Sequence, residues 1–439
     1  MKIDQLGEWR RTHYSVEVTP ELSGKEVIVF GWVLDIRDLG GIRFIILQDR
    51  EGDVQITILR KKVSAEIVKK ADALQRQYSI GVKGIVQKTK MTPRGVEIIP
   101  SEIKIMGVAQ YPLPLDVTGR TPSDIDVRLD ARVLDLSRQE NRAIFRVQHV
   151  ALEATRSFLS KLGFIEVHTP RIIASATEGG AALFPVNYYD KEAYLAQSPQ
   201  LYKEQLVIDF EKVFEIGHFF RAEESHTRRH TSEFVSIDIE QAFATTTDVM
   251  EILEEIIHYI CEVVNDQCKK ELKILKHKVE VPETPFKRFT YDQVIDELKK
   301  KGAEVKWGED IPTPALRILG KLHSDFYFIT DWPKTARSFY IKTKEDNSEL
   351  TEGFDLMWRA IELTSGGSRV DSKDVLIERL KEKGLNPDSF RFHLQAFDYG
   401  MPPHAGWATG LERLTMMLTG KQNIREVTLF PRDRFRLTP

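Results

Sequence analysis

From residue 27 to residue 99, short runs of β-branched and aromatic residues alternate with clusters of turn formers. The runs cover residues 27–32, 43–47, 54–59, 78–86 and 96–99, and Gly40-Gly41, Glu51-Gly52-Asp53 and Pro93-Arg94-Gly95 fall between them. Bounded runs of this length predict five strands. One segment has a different period: Ala65, Ile67, Val68, Ala71 and Leu74 recur at helical spacing, which predicts a helix over residues 63–75, between the third and fourth strands. Beyond residue 133 the pattern changes to long amphipathic helices mixed with strands. The first of these helices, residues 138–162, places Ile144, Val147, Ala151, Phe158 and Leu162 along one stripe, and Gly163 supplies a stop.

Five strands with a single helix after the third is the order of an OB-fold barrel, a frequent binder of single-stranded nucleic acid. The stretch from Tyr111-Pro112-Leu113-Pro114 to Thr121-Pro122-Ser123-Asp124 is too rich in proline for extended regular structure and reads as a hinge. The later part lacks a regular βαβ alternation, so an antiparallel sheet flanked by helices is expected. The fold class is α+β, with a barrel domain at 1–108, a hinge at 109–132 and a second domain at 133–439.

Composition narrows this picture. No stretch reaches the roughly 20 apolar residues of a membrane helix, and Met1-Lys2-Ile3-Asp4-Gln5-Leu6 has no signal-peptide core, so a cytoplasmic protein is expected. Residues 1–108 hold 18 Lys and Arg against 14 Asp and Glu, while the whole chain has a net charge of −3. A mildly basic first domain suits a polyanionic partner. Cys261 and Cys268 sit in apolar helical surroundings and read as core residues, without a metal or redox role.

Neither a GxxxxGK[ST] nor a GxGxxG loop occurs, so phosphate binding would fall to arginine side chains. Three segments supply them in order: the helix leading to Gly163-Phe164-Ile165-Glu166-Val167-His168-Thr169-Pro170; Phe220-Arg221-Ala222-Glu223 with Ile237-Asp238-Ile239-Glu240; and Gly410-Leu411-Glu412-Arg413-Leu414. These resemble motifs 1, 2 and 3 of the class II aminoacyl-tRNA synthetases. Joining a carboxylate to the α-phosphorus of ATP requires fixed cations that do not titrate near neutral pH, which is arginine chemistry.

The resemblance is narrower at Gln197-Ser198-Pro199-Gln200-Leu201-Tyr202-Lys203, Ser365-Gly366-Gly367-Ser368-Arg369 and Met401-Pro402-Pro403-His404, which are similar to segments of the aspartyl-tRNA synthetase family, subclass IIb, archaeal type. It implies that Arg221 holds the α-phosphate and Arg413 the far end of a bent ATP. Glu223, His230 and Phe234 would bind the rest of the nucleotide, with Glu362 also on the ATP side. Lys203 and Arg369 would grip the aspartate β-carboxylate, Glu178 and Asp238 the ammonium group, and Gln200 and Ser365 would complete that pocket. Asp355, Glu362 and Ser365 are the implied Mg²⁺ ligands. A separation of seven puts Asp355 and Glu362 on opposite faces of one straight strand, so they meet only if the chain turns between them.

In the barrel, Arg37, Phe44 and Gln55 resemble the family's anticodon-reading face, a ring that stacks flanked by side chains that choose among bases. Phe44 could equally be barrel core. Implied partners are ATP, L-aspartate, tRNA-Asp and a second copy of the chain, since the family's motif 1 helix forms a homodimer interface and the stripe on residues 138–162 is more apolar than solvent requires. Whether tRNA-Asn is charged too stays open, its reader lying in loops near Leu34 and Thr92-Pro93-Arg94. An asparaginyl enzyme and a non-catalytic tRNA-binding relative are the alternatives.

Overall fold

The computed structural model describes residues 3–174, 183–222 and 230–439. The chain divides into two compact units, Met1–Gln139 and Glu140–Pro439.

In the first unit, strands β1 (Glu26–Asp38), β2 (Ile42–Gln48), β3 (Asp53–Leu59), β4 (Ser79–Lys88) and β5 (Val96–Gly107) close into a barrel in the order β1-β2-β3-β5-β4, and helix α1 (Ala65–Ala73) lies between β3 and β4 in sequence. Alternation packs it: Val27, Val29, Val33, Ile45, Leu47, Ile56 and Ile80 point inward and are essentially inaccessible. Ser64 caps α1 by accepting from the Ile67 N–H. Two strands outrun their sequence signals. β1 continues through a register shift between Val33 and Asp35, where buried Asp35 is paired by Arg76 at 2.6 Å and Arg120 at 2.7 Å. β5 continues past Pro100, which lies opposite Gly84 beside a register shift that accommodates the missing N–H.

Residues 109–132 group with the barrel unit and are tied down locally. Tyr111 donates to the Arg76 carbonyl at 2.7 Å, and Asp116 accepts from the backbone of Thr118 and Thr121. Helices α2 (Ile125–Asp130) and α3 (Arg132–Asp135) follow, and buried Asp135 binds Arg132 at 2.7 Å.

The second unit begins along α4 (Gln139–Lys161). Its strands are β6 (Ile165–Glu166), β7 (Ile172–Ile173), β8 (Pro185–Tyr188), β9 (Lys191–Leu195), β10 (Lys212–Phe220), β11 (Glu233–Ala242), β12 (Lys287–Thr290), β13 (Phe326–Thr330), β14 (Gly353–Trp358), β15 (Ile361–Ser368) and β16 (His404–Gly410). Eight of them form a sheet in the order β12-β13-β14-β15-β16-β11-β10-β6, antiparallel except at its two outermost pairs, and β7, β9 and β8 form a small second sheet. The helices are α5 (Gln200–Phe210), α6 (Thr246–Gln267), α7 (Lys269–Leu275), α8 (Tyr291–Lys300), α9 (Thr313–Leu322), α10 (Lys373–Glu382), α11 (Arg391–Phe397) and α12 (Leu411–Thr419). The architecture is α+β, as the pattern predicts.

The stripe on α4 is used inside this unit. Ile144, Val147 and Ala151 join one core with Val249, Leu253, Ile256 and Ile260 of α6 and with Ile237 and Ile239 of β11. Phe158 only packs at its edge, and Leu162 lies past the helix end, partly exposed. The stripe therefore gives no ground for a second subunit, because its apolar area is already covered. Cys261 and Cys268 are buried and free, and burial pushes their thiols up to about 12 and about 11. Among the described residues no helix is long and apolar enough to cross a membrane.

Candidate active site

Five neighbouring strands carry one row of directly opposed residues: Asp355, Ser365, Ala408, Asp238 and Glu215. Directly opposed residues share a face. The next row on that face reads Gly353, Gly367, Gly406 and Glu240. A side chain at Gly406 would overlap the Ile239 carbonyl and the Glu240 carboxylate. The glycines thus leave a low floor beside Glu240 and the carboxylates of the first row.

Cations from two other elements reach this floor. Lys203, on the first turn of α5 and 1% exposed, donates to Asp238 Oδ1 and to the Ile239 carbonyl, both at 3.1 Å, and lies 3.4 Å from Glu240 Oε2. Arg369, just past β15, grips Glu240 with Nε at 2.8 Å and Nη2 at 3.1 Å. Neither is the solvated cation that an isolated Lys or Arg usually is. Burial alone would weaken the Arg369 guanidinium's hold on its proton, and Glu240 more than offsets that. Burial pushes the Asp238 carboxyl up against the pull of Lys203. Its second oxygen, Oδ2, is buried and accepts no hydrogen bond among the described residues, so it is an acceptor available to an incoming ammonium group. Gln200 is one layer further back, where its amide donates to Glu204 Oε1 at 2.5 Å. Glu204 is fully buried; burial opposes its ionisation, but His393 Nε2 at 3.1 Å and His404 Nε2 at 3.7 Å hold the carboxyl below the usual range.

At the β14 end the turn that Asp355 and Glu362 require is present. Arg359 takes φ +55° between the strands, a bulge shifts the register at Leu356/Met357, and the charge of Glu362 is felt at Asp355. Burial, opposed by Arg337 and helped by Glu362, pushes Asp355 up to about 6. Oδ2 of Asp355 is 2.7 Å from Arg337 Nη2, while Oδ1 is buried without a hydrogen-bond donor among the described residues. Ser365 Oγ accepts from Arg337 Nη1 at 3.2 Å. Arg337, whose guanidinium also stacks on Trp332 at 4.2 Å, carries no motif, and sequence reasoning missed it. Among the described residues no group of three or more His, Cys, Asp or Glu is arranged around a metal site. The unsatisfied Asp355 oxygen and nearby Glu362 nevertheless fit a hard cation that takes its remaining ligands from phosphate and water.

Arg413, on the first turn of α12, donates to the Glu362 carbonyl at 2.8 Å and lies 3.6 Å from its carboxylate. Arg221 follows the end of β10, exposed, its guanidinium 5.2 Å from the Phe234 ring centre. His230 is half-buried. Next to Arg413 in the chain, Glu412 accepts from the Val235 N–H with both oxygens, at 3.1 and 3.2 Å, and burial pushes its carboxyl up to about 7. Glu178 and Glu223 lie outside the described residues.

On the barrel, Arg37 pairs with Phe44 and Phe44 with Thr57, whose i−2 neighbour on the same face is Gln55. Phe44 is half-buried on the outer face, while its neighbour Ile45 fills the core. Gln55 donates to Thr57 at 3.2 Å and to Glu97 at 3.1 Å, and borders a cavity of about 100 Å³ with Thr92, Pro93 and Arg94. Arg94 is a structural clamp: its guanidinium donates to the carbonyls of Ser15, Val16, Val18 and Asp53 at 2.6 to 3.0 Å.

The family model described as tRNA synthetases class II (D, K and N) matches residues 124–434, and the one described as OB-fold nucleic acid binding domain matches residues 27–106. The chain is 52% identical to the aspartate–tRNA(Asp/Asn) ligase of Methanopyrus kandleri over 97% of its own length and 99% of the relative's, and 51% identical to that of Sulfurisphaera tokodaii over 98% and 100%. The chain belongs to the aspartate–tRNA ligase family of class II tRNA synthetases. Solved structures agree in fold across this family and its asparagine counterpart. The asparaginyl-tRNA synthetase of Pyrococcus horikoshii, complexed with asparaginyl-adenylate, superposes with a TM-score of 0.93 at 33% identity, covering 98% of this chain and all of that one. The aspartyl-tRNA synthetase of Entamoeba histolytica gives 0.88 at 31%, covering 100% and 96%. Both family members thus share the scaffold, and the substrate distinction rests on side chains.

Proposed function

We propose that the second unit activates L-aspartate with ATP and esterifies it to the 3′ end of tRNA-Asp held at its anticodon by the barrel. The observation that carries this reading is the row of Asp238, Ser365 and Asp355 bordered by buried Lys203 and Arg369 and, towards β14, by Arg413. Asp238 Oδ2 accepts the substrate ammonium, with Glu178 beside it, and the Lys203–Arg369 pair takes the second carboxylate. A bidentate guanidinium favours a charged acid over an amide. Gln200 acts from behind, through Glu204. The α-carboxylate attacks the α-phosphorus, the bond to pyrophosphate breaks, and Arg221 stabilises the charge that builds on the α-phosphate. Arg413 meets the terminal phosphates, Phe234 stacks on adenine, and Glu223 and His230 complete the nucleotide site. Asp355, Glu362 and Ser365 would hold Mg²⁺, which when bound neutralises the phosphates. The 3′-terminal hydroxyl then attacks the acyl carbon and AMP leaves.

Arg37, Phe44 and Gln55 are assigned to the anticodon. The relatives' names carry both tRNAs, which supports charging of tRNA-Asn as well. Assembly as a homodimer is supported by the sheet-edge strand β6 with exposed Ile165 and nearby exposed Ile172, and a cytoplasmic location accords with translation chemistry. The test is aspartate-dependent exchange of pyrophosphate into ATP, followed by charging of purified tRNA-Asp and tRNA-Asn. Arg221→Ala and Arg413→Ala should each lower exchange by roughly a hundredfold or more with the fold intact. Exchange that follows asparagine or lysine in preference to aspartate would overturn the reading.

A further inference from the structure

One cation at the β14 end belongs to no motif. Arg337 follows a short 3₁₀ turn, Lys334–Ala336, whose backbone is tied down where the Lys334 N–H donates to the Glu349 carbonyl at 2.9 Å. Its guanidinium lies 4.2 Å from the ring centre of Trp332, which is buried and fixed by its indole N–H on the Ile329 carbonyl at 3.1 Å. Nη2 is 2.7 Å from Asp355 Oδ2, and Nη1 donates to Ser365 Oγ at 3.2 Å, so one guanidinium holds two of the three groups assigned to the divalent cation. Nε is buried and has no acceptor among the described residues. The charge of Arg337 is felt at Asp310 too, together with that of Glu362.

A guanidinium keeps its charge at any pH the protein meets. Asp355, Glu362 and Asp310 set three negative charges against the two positive ones of Arg337 and Arg413, and the single charge left over does not match a divalent ion. An ion placed on Asp355 and Ser365 would also stand beside the Arg337 charge, and like charges repel strongly where water is excluded. Phosphate oxygens reverse this balance. They supply the missing negative charge, complete the shell of a hard cation and offer Nε the acceptor it lacks.

We propose that Arg337 binds the phosphates of ATP and makes entry of the divalent cation depend on them: the guanidinium keeps Asp355 and Ser365 until phosphate oxygens draw it away. The cation then comes in with the nucleotide and not ahead of it. This rests on the aminoacylation reading above and adds to it a phosphate-binding residue outside the three motifs, one that acts on binding before any bond at the α-phosphorus changes.

The test measures two affinities separately on full-length protein: Mn²⁺ without nucleotide, followed by electron paramagnetic resonance, and α,β-methylene-ATP with divalent ions removed, followed by calorimetry. Arg337→Gln keeps a donor for Ser365 and loses the charge. It should bind Mn²⁺ roughly five- to a hundredfold more tightly than wild type, the range of a typical coupling between sites, and the ATP analogue more weakly by a factor in the same range. Adding Asp355→Asn should abolish that gain, which places the ion at this site. Arg337→Lys keeps the charge and loses the fork, so Mn²⁺ should bind as weakly as in wild type while the analogue still loses affinity; this variant decides the question if Arg337→Gln melts early. Mn²⁺ binding that is unchanged or weaker in a folded Arg337→Gln overturns the proposal, as does unchanged affinity for the analogue or a gain in Mn²⁺ binding that survives Asp355→Asn. Failure of the wild type to bind the analogue, with no aspartate-dependent exchange, would instead refute the underlying reading.

Discussion

Arg369 is held by Glu240 through two parallel hydrogen bonds, in a place where neither group reaches water. Replacing it by leucine would strand Glu240 and cost about 3–5 kcal/mol of stability, confusing folding with binding. Arg369→Lys is the cleaner change: the charge stays and the fork is lost. The KM for aspartate should rise roughly 10- to 100-fold while the thermal midpoint moves little, checked by exchange kinetics and melting. Glu412 yields a pH prediction. Its folded pKa of about 7 stands above the ordinary 4.5, so the folded state binds this proton more tightly than the unfolded chain. Stability from this group is complete below about pH 4.5 and is lost as pH rises to about 7. Glu412→Gln keeps an acceptor for Val235 and removes the ionisation cost. Its Tm advantage over wild type should grow from pH 5 to pH 7 and then level, worth on the order of 2–3 kcal/mol. A difference independent of pH would refute the assignment. At this scale, what was legible in sequence was residue type in a motif, as for Lys203 and Arg369. Arg337 and the Glu204–His393–His404 contact were not, since their partners are remote along the chain and no spacing links them.

Among elements, the barrel separates two kinds of arginine and aromatic that look alike in sequence. Arg94 bridges four carbonyls of the segments before β1 and at the start of β3, so Arg94→Ala should destabilise the barrel by roughly 2–4 kcal/mol. Phe44 is on the outer face, so Phe44→Ala should leave barrel melting nearly unchanged, weaken tRNA binding by about 1–3 kcal/mol and spare pyrophosphate exchange. Melting curves with charging rates of the two variants check both; a large loss of stability in Phe44→Ala would make it a core residue after all. The order of strands was readable from alternation, and the lengths of β1 and β5 were not, because a buried ion pair at Asp35 and a proline at a bulge look like strand ends until their partners are known. Likewise the spacing of Asp355 and Glu362 stated a need for a turn that only the β14–β15 hairpin could meet.

For the whole molecule, the α+β plan and the separate barrel followed from pattern, whereas the α4 stripe, read in sequence as a surface for a second copy, packs against α6 within its own unit. Sedimentation should still give about twice the chain mass of 50.5 kDa; an active monomer at micromolar concentration would remove the β6 edge as an interface. A pairing near the middle of the sheet joins β11 to β16, with Asp238 opposite Ala408. Strands so far apart in the chain close a long loop before any contact rewards them. The barrel's partners, by contrast, all lie within its first hundred or so positions, from Glu26 to Gly107. During synthesis the barrel can thus fold while the catalytic sheet still lacks the strand at its centre, and β10 and β11 must wait on the ribosome with an unpaired edge until His404–Gly410 has been made.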